Sequence, residues 1–392
     1  MKRFLSLLTA LLVVLSFLPA AGAEVCVIGC EATVGGLEND VWMTKYGNVV
    51  VDVAAADFLG TACVGYGDLM EVSFLGQTLV LPVVPAYSYV DSGKPAIIAA
   101  RDAAGAPTGP VLLAINMGNF ATTYGIADKH TNEDKTWYWT AKEGVTFPLP
   151  VSFTLRLAGG YHKEYLLHDL HRTNERADYA ELSDEAFANF RAVTTPGMGA
   201  GKLYRSSSPI NPELGRNAYA CKAMEQADVK TIVNLADTAA GAAEYEGFAE
   251  SYYAKQNAEY LCLGVDFFEP SFRTGLADGL RFMIANPGPY LVHCNEGKDR
   301  AGFVSALLEC LMGAPAEAVV ADYMTTYANY YGVEPGTEKY DVIAESNIVK
   351  TLSTAFRTDD LANCDLAAAA EAYLAEIGLS AEETAALKAN LG

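Results

Sequence analysis

The apolar pattern changes near residue 146, and that change restricts the chain to two architectures in series. From residue 24 to about 145, short alternating apolar runs sit between glycine-bearing turns: Val49–Val53, Leu69–Phe74, Leu79–Val84, Ala96–Ala100 and Val111–Asn116. Period-two alternation on that spacing predicts strands of a small all-β barrel or sandwich. After 146, strand-like and helix-like runs alternate. Val229–Leu235, Ala258–Val265 and Tyr290–His293 read as strands; Ala242–Lys255, Gly275–Asn286, Ala301–Met312, Ala316–Tyr331 and Ser380–Asn390 read as helices. That alternation predicts an α/β domain, a central sheet flanked by helices, over 146–392, with Phe147–Leu157 as its first strand-like run.

Composition narrows the partners. The 392 residues carry 27 Lys+Arg against 48 Asp+Glu, a formal net charge of −21. Nucleic-acid affinity rests on clustered cations, so no nucleic-acid partner is expected, nor an anionic membrane surface. A local basic pocket for one anionic substrate remains compatible.

Lys2 and Arg3, the apolar run Phe4–Leu18 and the small residues Ala21-Gly22-Ala23 have the three parts of a secretory signal peptide over 1–23. Val27-Ile28-Gly29-Cys30 offers a competing reading, a lipobox with a lipid anchor at Cys30. No later run reaches the ~18 apolar residues of a spanning helix. The expected location is therefore secreted, or on the extracellular face of a bacterial cell. Of the eight cysteines, Cys262 and Cys310 fall in apolar runs and are expected to be buried thiols rather than disulfide partners.

Chemistry concentrates in Tyr290-Leu291-Val292-His293-Cys294-Asn295-Glu296-Gly297-Lys298-Asp299-Arg300-Ala301-Gly302-Phe303. An apolar strand leads into a tight loop, and the loop into a helix. This sets Cys294 beneath backbone N–H groups at a helix N-terminus, where donors and dipole favour both a bound phosphate and a thiolate. The loop residues Asn295, Glu296, Gly297, Lys298 and Ala301 surround the bound anion. Arg300 supplies a planar fork for two oxygens, and His293 braces the loop. These parts suit phosphoryl transfer through a cysteinyl-phosphate, with no metal and no cofactor.

The segment resembles the Cys-x5-Arg signature of the protein tyrosine phosphatase superfamily. Its His-Cys-x-x-Gly-Lys-Asp-Arg form is similar to the bacterial tyrosine/serine phosphatase branch, which includes phosphoinositide phosphatases. Leu203-Tyr204-Arg205-Ser206-Ser207-Ser208-Pro209, Thr231-Ile232-Val233-Asn234-Leu235 and Ala321-Asp322-Tyr323-Met324 extend the resemblance over about 150–390. It implies a Cys-dependent phosphatase fold and a phosphomonoester substrate: a phosphorylated small molecule such as an inositol phosphate, a lipid headgroup or a phosphopeptide. It also implies a general acid. Asp266, 28 residues before Cys294 on a proline-stopped loop, is the favoured candidate, and Asp299 inside the signature is its rival. Lys298 either draws multiply phosphorylated substrates or pairs with a neighbouring carboxylate. The branch usually carries Thr or Ser after the arginine; Ala301 there implies slow phosphoenzyme breakdown, and keeps open a non-catalytic phosphate-binding surface protein. Arg205 is expected to pair with a core carboxylate.

Other motifs are weaker. Gly197–Lys202 fails the nucleotide-loop spacing and reads as a link. His168 and His171 lack a third metal ligand. Tyr323, Tyr327, Tyr330 and Tyr331, at helical spacing, read as packing. In the N-terminal module, Tyr46-Gly47-Asn48-Val49-Val50, Gly67-Asp68, Asn116-Met117-Gly118-Asn119 and Tyr124-Gly125 are similar to the C-terminal β-domain of the S-adenosylmethionine hydroxide adenosyltransferases. The nucleophile-bearing half of that family is missing, which implies a binding or scaffold module.

Overall fold

The computed structural model describes residues 29–35, 37, 42–60 and 64–392, without the side chains of Gly29 and Cys30. The signal-peptide reading lies outside the described residues; of the lipid-anchor motif only Gly29 and Cys30 are described, as the start of the first strand, where the Cys30 backbone pairs with Phe153. Among the described residues no helix is long and apolar enough to cross a membrane. The chain divides into two compact units, 1–165 and 166–392.

The first unit is built on one seven-stranded sheet in the order β1-β9-β3-β4-β5-β6-β2. Its strands are β1 (Gly29–Val34), β2 (Val49–Ala54), β3 (Leu69–Phe74), β4 (Gln77–Val84), β5 (Pro95–Ile98), β6 (Pro110–Ile115) and β9 (Leu149–Leu157). The edge strands β1 and β2 approach each other, so the sheet curls nearly into a barrel. Alternation sets the inner face: Met70, Val72 and Phe74 of β3 are buried, while their neighbours are partly exposed. A hairpin of β7 (Ala127–Thr131) and β8 (Trp137–Ala141) forms a separate pair.

The expected boundary at 145/146 falls inside this unit. The run Phe147–Leu157, read as the start of the second domain, is β9, held antiparallel between β1 and β3. Its outer pairing partners lie far away in sequence, so the local pattern carried no sign of which sheet it would join.

The second unit has a five-stranded sheet in the order β10-β11-β14-β12-β13: β10 (Arg191–Ala192), β11 (Leu203–Ser206), β14 (Tyr290–His293), β12 (Thr231–Asn234) and β13 (Asn257–Tyr260). All but β10 run parallel. Both faces are covered, as parallel sheets require. Val233 and Val292 pack into one core with α2 (Pro270–Ala285) and α3 (Arg300–Leu311). Ile232 and Leu291 point into the other, with α1 (Asn217–Gln226). The helix α3 is buried along its length after Arg300, and α4 (Ala316–Tyr331) packs beside it. The α/β class, with a β-rich module before it, is thus present.

Two local expectations fail. The helix expected over Ala242–Lys255 is only a short helix, Ala239–Ala243, ended at Glu244 and followed by turns, with Gly247 at φ +74° among them, and by a single 3₁₀ turn at Tyr253–Lys255. The strand expected over Ala258–Val265 stops at Tyr260. Beyond it the chain leaves the sheet, and Cys262 is exposed at φ +48° rather than a buried thiol. Cys310 is buried as expected.

Candidate active site

The carboxyl ends of the parallel strands β11, β14 and β12 lie side by side, with Ser206, His293 and Asn234 in register. Ligand crevices of open α/β sheets form at this edge. Cys294 follows β14 directly, and the turn Cys294–Asp299 carries the chain into α3. Cys294 is buried.

The turn is held from outside by its carbonyl oxygens. His293 Nδ1 lies 3.3 Å from the Cys294 carbonyl, and the Ser208 amide donates to that of Asn295 at 2.9 Å. Asn189 Nδ2 and Tyr330 Oη donate to that of Glu296 at 3.2 and 2.9 Å. Arg205 Nη2 donates to that of Gly297 at 2.8 Å and reaches that of Lys298 at 3.5 Å. In a planar trans peptide the following N–H points opposite to the carbonyl. The N–H groups of residues 295–299 are therefore directed to the inner side of the turn, and the first turn of α3 adds its own unpaired donors. The result is an anion cup above the sulfur.

Gly297 makes that closure possible. It adopts φ +69°, and a Cβ there would lie 2.2 Å from the Ser206 carbonyl oxygen. Gly302 plays a second steric part: a Cβ would meet the Tyr323 ring at 2.6 Å and Arg205 Nη2 at 3.0 Å.

Behind the sulfur runs a buried polar chain. A carbonyl only accepts, so the His293 proton sits on Nδ1, facing the Cys294 carbonyl. Nε2 then accepts from Tyr253 Oη at 2.9 Å. That hydroxyl accepts from Asn234 Nδ2 at 3.1 Å, and the same amide donates to Asp237 at 3.0 Å. Burial lowers His293 to a pKa of about 4, so the ring is neutral at ordinary pH.

Arg300 begins α3, and its Nη1 donates to the carbonyls of Leu235 and Leu263, at 3.2 and 2.8 Å. These bonds fix the guanidinium plane between the loops after β12 and β13 and use one arm of the fork.

The loop's charged side chains separate in role. Glu296 pairs with Arg172 at 2.9 Å and with Lys298 at 3.2 Å. Burial would raise its carboxyl, but the two cations outweigh that and hold it low. Lys298 also lies over the rings of Tyr327 and Tyr331. Burial acts against its charge, while Asp299, the tyrosines and Glu296 raise its pKa overall. Of the two readings of Lys298, the structure contains the carboxylate pair. Asp299 is half-exposed at the start of α3, 3.9 Å from Lys298. Burial pushes its carboxyl up, more than the nearby cations pull it down. Ala301, next to Arg300, is buried.

Asp266 sits apart from this cluster. It is exposed, and its Oδ1 caps the Phe268 amide at 3.0 Å. Its loop nonetheless borders the cup, since Leu263 takes a bond from Arg300. Arg205 meets its expected core carboxylate, Asp322, at 2.8 Å. His171 pairs with Asp169 at 3.1 Å, and among the described residues no group of His, Cys, Asp and Glu is arranged to hold a metal.

Sequence reasoning missed Arg172, Asn189, Ser208, Tyr253 and Tyr330. None lies within the signature, and each reaches the loop through tertiary contacts. The tyrosine spacing was read as packing; Tyr330 is buried, yet its hydroxyl also supports the Glu296 carbonyl.

A family model described as tyrosine phosphatase family matches residues 167–392. No curated protein matches. Solved structures with similarity include an uncharacterized conserved protein from Thermotoga maritima, 16% identical over 33% of this chain and 38% of that one, with a TM-score of 0.22. They include the core catalytic domain of the PP-IP phosphatase SIW14 from S. cerevisiae in complex with citrate, 19% identical over 42% and 91%, TM-score 0.26. A further structure of the Siw14 catalytic core is 17% identical over 42% and 94%, TM-score 0.24. The chain spans 38% of the length of the T. maritima protein.

Proposed function

Because the chain belongs to the tyrosine phosphatase family, we propose that it is an exported phosphatase that hydrolyses phosphomonoesters through a phosphocysteine at Cys294. The observation that carries this reading is the outward tethering of five consecutive carbonyls, which turns the following amides over a buried sulfur.

The steps follow from that arrangement. Loop amides and the remaining arm of Arg300 take the equatorial phosphate oxygens. The Cys294 thiolate attacks phosphorus; the S–P bond forms as the ester P–O bond breaks. The leaving oxygen needs a proton, and Asp299 supplies it. A carboxyl raised by its surroundings and placed at the cup suits that role better than the exposed cap Asp266. Water then attacks the phosphocysteine, Asp299 takes its proton, and phosphate leaves with the thiolate restored. His293 stays neutral throughout and holds the Cys294 carbonyl.

The signal-peptide pattern and net charge of −21 favour a soluble extracellular substrate, such as an inositol phosphate or a phosphopeptide. Hydrolysis of p-nitrophenyl phosphate by the wild type and Cys294→Ser, with acid-quenched mass spectrometry for phosphocysteine, tests the core of this. Full-rate hydrolysis by Cys294→Ser would sink it. Phosphate binding without turnover by the wild type would favour the non-catalytic reading. A panel of phosphopeptides, phosphoinositides and phytate then ranks substrates.

A further inference from the structure

Behind the phosphate loop, α3 carries an acidic residue that the chemistry above does not use. Glu309 is fully buried, and neither of its carboxylate oxygens meets a donor. Around it are Asp322 from α4, Arg205 from β11 and Arg191 from β10; on its own helix are Cys310 and, one turn earlier, buried Ser305. Asp322 is well served: Arg205 Nη1 and Arg191 Nε donate to its two oxygens, each at 2.8 Å. Arg205 then continues to the Gly297 and Lys298 carbonyls. Two carboxylates facing one another are both acceptors, so neither can satisfy the other. One added proton converts one of them into a donor and removes the conflict.

We propose that Glu309 is a neutral acid that donates its proton to ionised Asp322, and that this pair is a positioning device aiming the Lys298 and Asp299 amides into the cup through Arg205. The inference rests on the phosphatase reading only in its kinetic consequence. Burial pushes both carboxyls up; on Asp322 the two arginines outweigh burial, and on Glu309 they do not. The proton therefore belongs to Glu309. With it, Asp322 keeps its full charge for the two guanidiniums, and Arg205 is held on both sides, by Asp322 and by the loop. Gly302 lets α3 pass at this distance, since any side chain there would press on Arg205 Nη2. Without the proton, a second buried negative charge would compete for Arg205 and draw it from the loop carbonyls.

Infrared spectroscopy of the full chain at neutral pH tests the protonation state directly. The expected result is a carboxylic-acid carbonyl stretch in the wild type that is lost in the Glu309→Gln difference spectrum and retained in Asp299→Asn. No such band in the wild type, or a wild-type-minus-Glu309→Gln difference spectrum without it, overturns the proton assignment whatever the enzyme does to substrate. Kinetics test the positioning half, with orthovanadate as the oxyanion probe. Glu309→Gln keeps a donor toward Asp322 and is expected to hold vanadate within about threefold of wild type, while Glu309→Leu loses roughly tenfold or more. Asp322→Asn is expected to weaken vanadate roughly tenfold to a hundredfold. Should Asp322→Asn not fold, Arg205→Lys, which keeps the charge but loses the second arm, is expected to do the same. A folded Asp322→Asn or Arg205→Lys with unaltered vanadate inhibition refutes the positioning role. A wild type that shows the Glu309-dependent infrared band but does not turn over p-nitrophenyl phosphate would overturn the phosphatase reading and leave the proton assignment standing, which separates the two levels.

Discussion

Replacing Gly297 by alanine puts a methyl group where the turn touches the end of β11. Two costs are separable. The first is conformational: φ +69° is a left-handed geometry, costing an L-residue about 1–2 kcal/mol. The second is steric. The new Cβ would lie 2.2 Å from the Ser206 carbonyl oxygen, 2.4 Å from its carbon and 2.8 Å from the Ser207 nitrogen. All three are backbone atoms of a paired strand end, which cannot rotate aside. Bringing 2.2 Å out to 3.0 Å requires a shift of 0.8 Å, and the loop is the side able to give. A displacement near 1 Å in a reacting geometry costs roughly a hundredfold in rate, about 2.7 kcal/mol of transition-state stabilisation. Gly247 is the control: it has φ +74° but nothing within 4 Å of its Cβ position. Gly247→Ala is thus expected to lower the melting temperature by a few degrees with kcat/KM intact. Gly297→Ala is expected to lower the melting temperature at least as much and kcat/KM for p-nitrophenyl phosphate about a hundredfold. A Gly297→Ala enzyme within threefold of wild type would refute the claim that this contact sets the cup's geometry.

Asp299→Asn is expected to reduce kcat on a poor leaving group roughly 10²–10⁴-fold and to abolish the alkaline fall of its pH–rate profile, because a general acid is active only below its own raised pKa. Asp266→Asn is expected to leave that profile unchanged; the opposite pair of results would transfer the acid role to Asp266. His293 has a folded pKa depressed to about 4, so its contribution to stability is full above the unfolded value near 6.5 and is lost as pH falls toward 4. The change is at most ~3 kcal/mol; melting temperatures measured from pH 7 to 4 are expected to fall less steeply in His293→Gln. A rapid-quench time course is expected to show a product burst followed by slow release, given Ala301 after the arginine, and a linear course would count against that reading.

What could be read from residue order alone was whatever depends on neighbours in sequence. Tyr290–His293 as a buried strand, Cys294 at its end and Arg300 opening a helix all follow from local pattern, and each stands in the structure. Gly297 was legible as part of the loop around the anion, but its left-handed φ of +69° was not. What escaped was set by distant segments. The strand Phe147–Leu157 was visible, but its sheet was chosen by β1 and β3. The break in Ala242–Lys255 was hidden because the helix stops at Ala243 with no glycine or proline there to mark its end. Cys262 looked buried because its neighbours Leu261 and Leu263 are apolar; the chain leaves the sheet before it, at Tyr260. Arg172 and Asn189 carry no signature, and only folding brings them to Glu296.

The outward tethers of the turn begin at Asn189 and end at Tyr330, so the pocket has no local blueprint. A peptide copying residues 290–303 would hold the whole signature and grip no phosphate. A fragment beginning after Pro209 would keep Cys294 and Arg300 and lose Asn189, Arg205 and Ser208. Catalysis in denaturant should therefore vanish together with the fold of this unit, not ahead of it. Until the last of these segments arrives, the future nucleophile is one unremarkable thiol among eight cysteines.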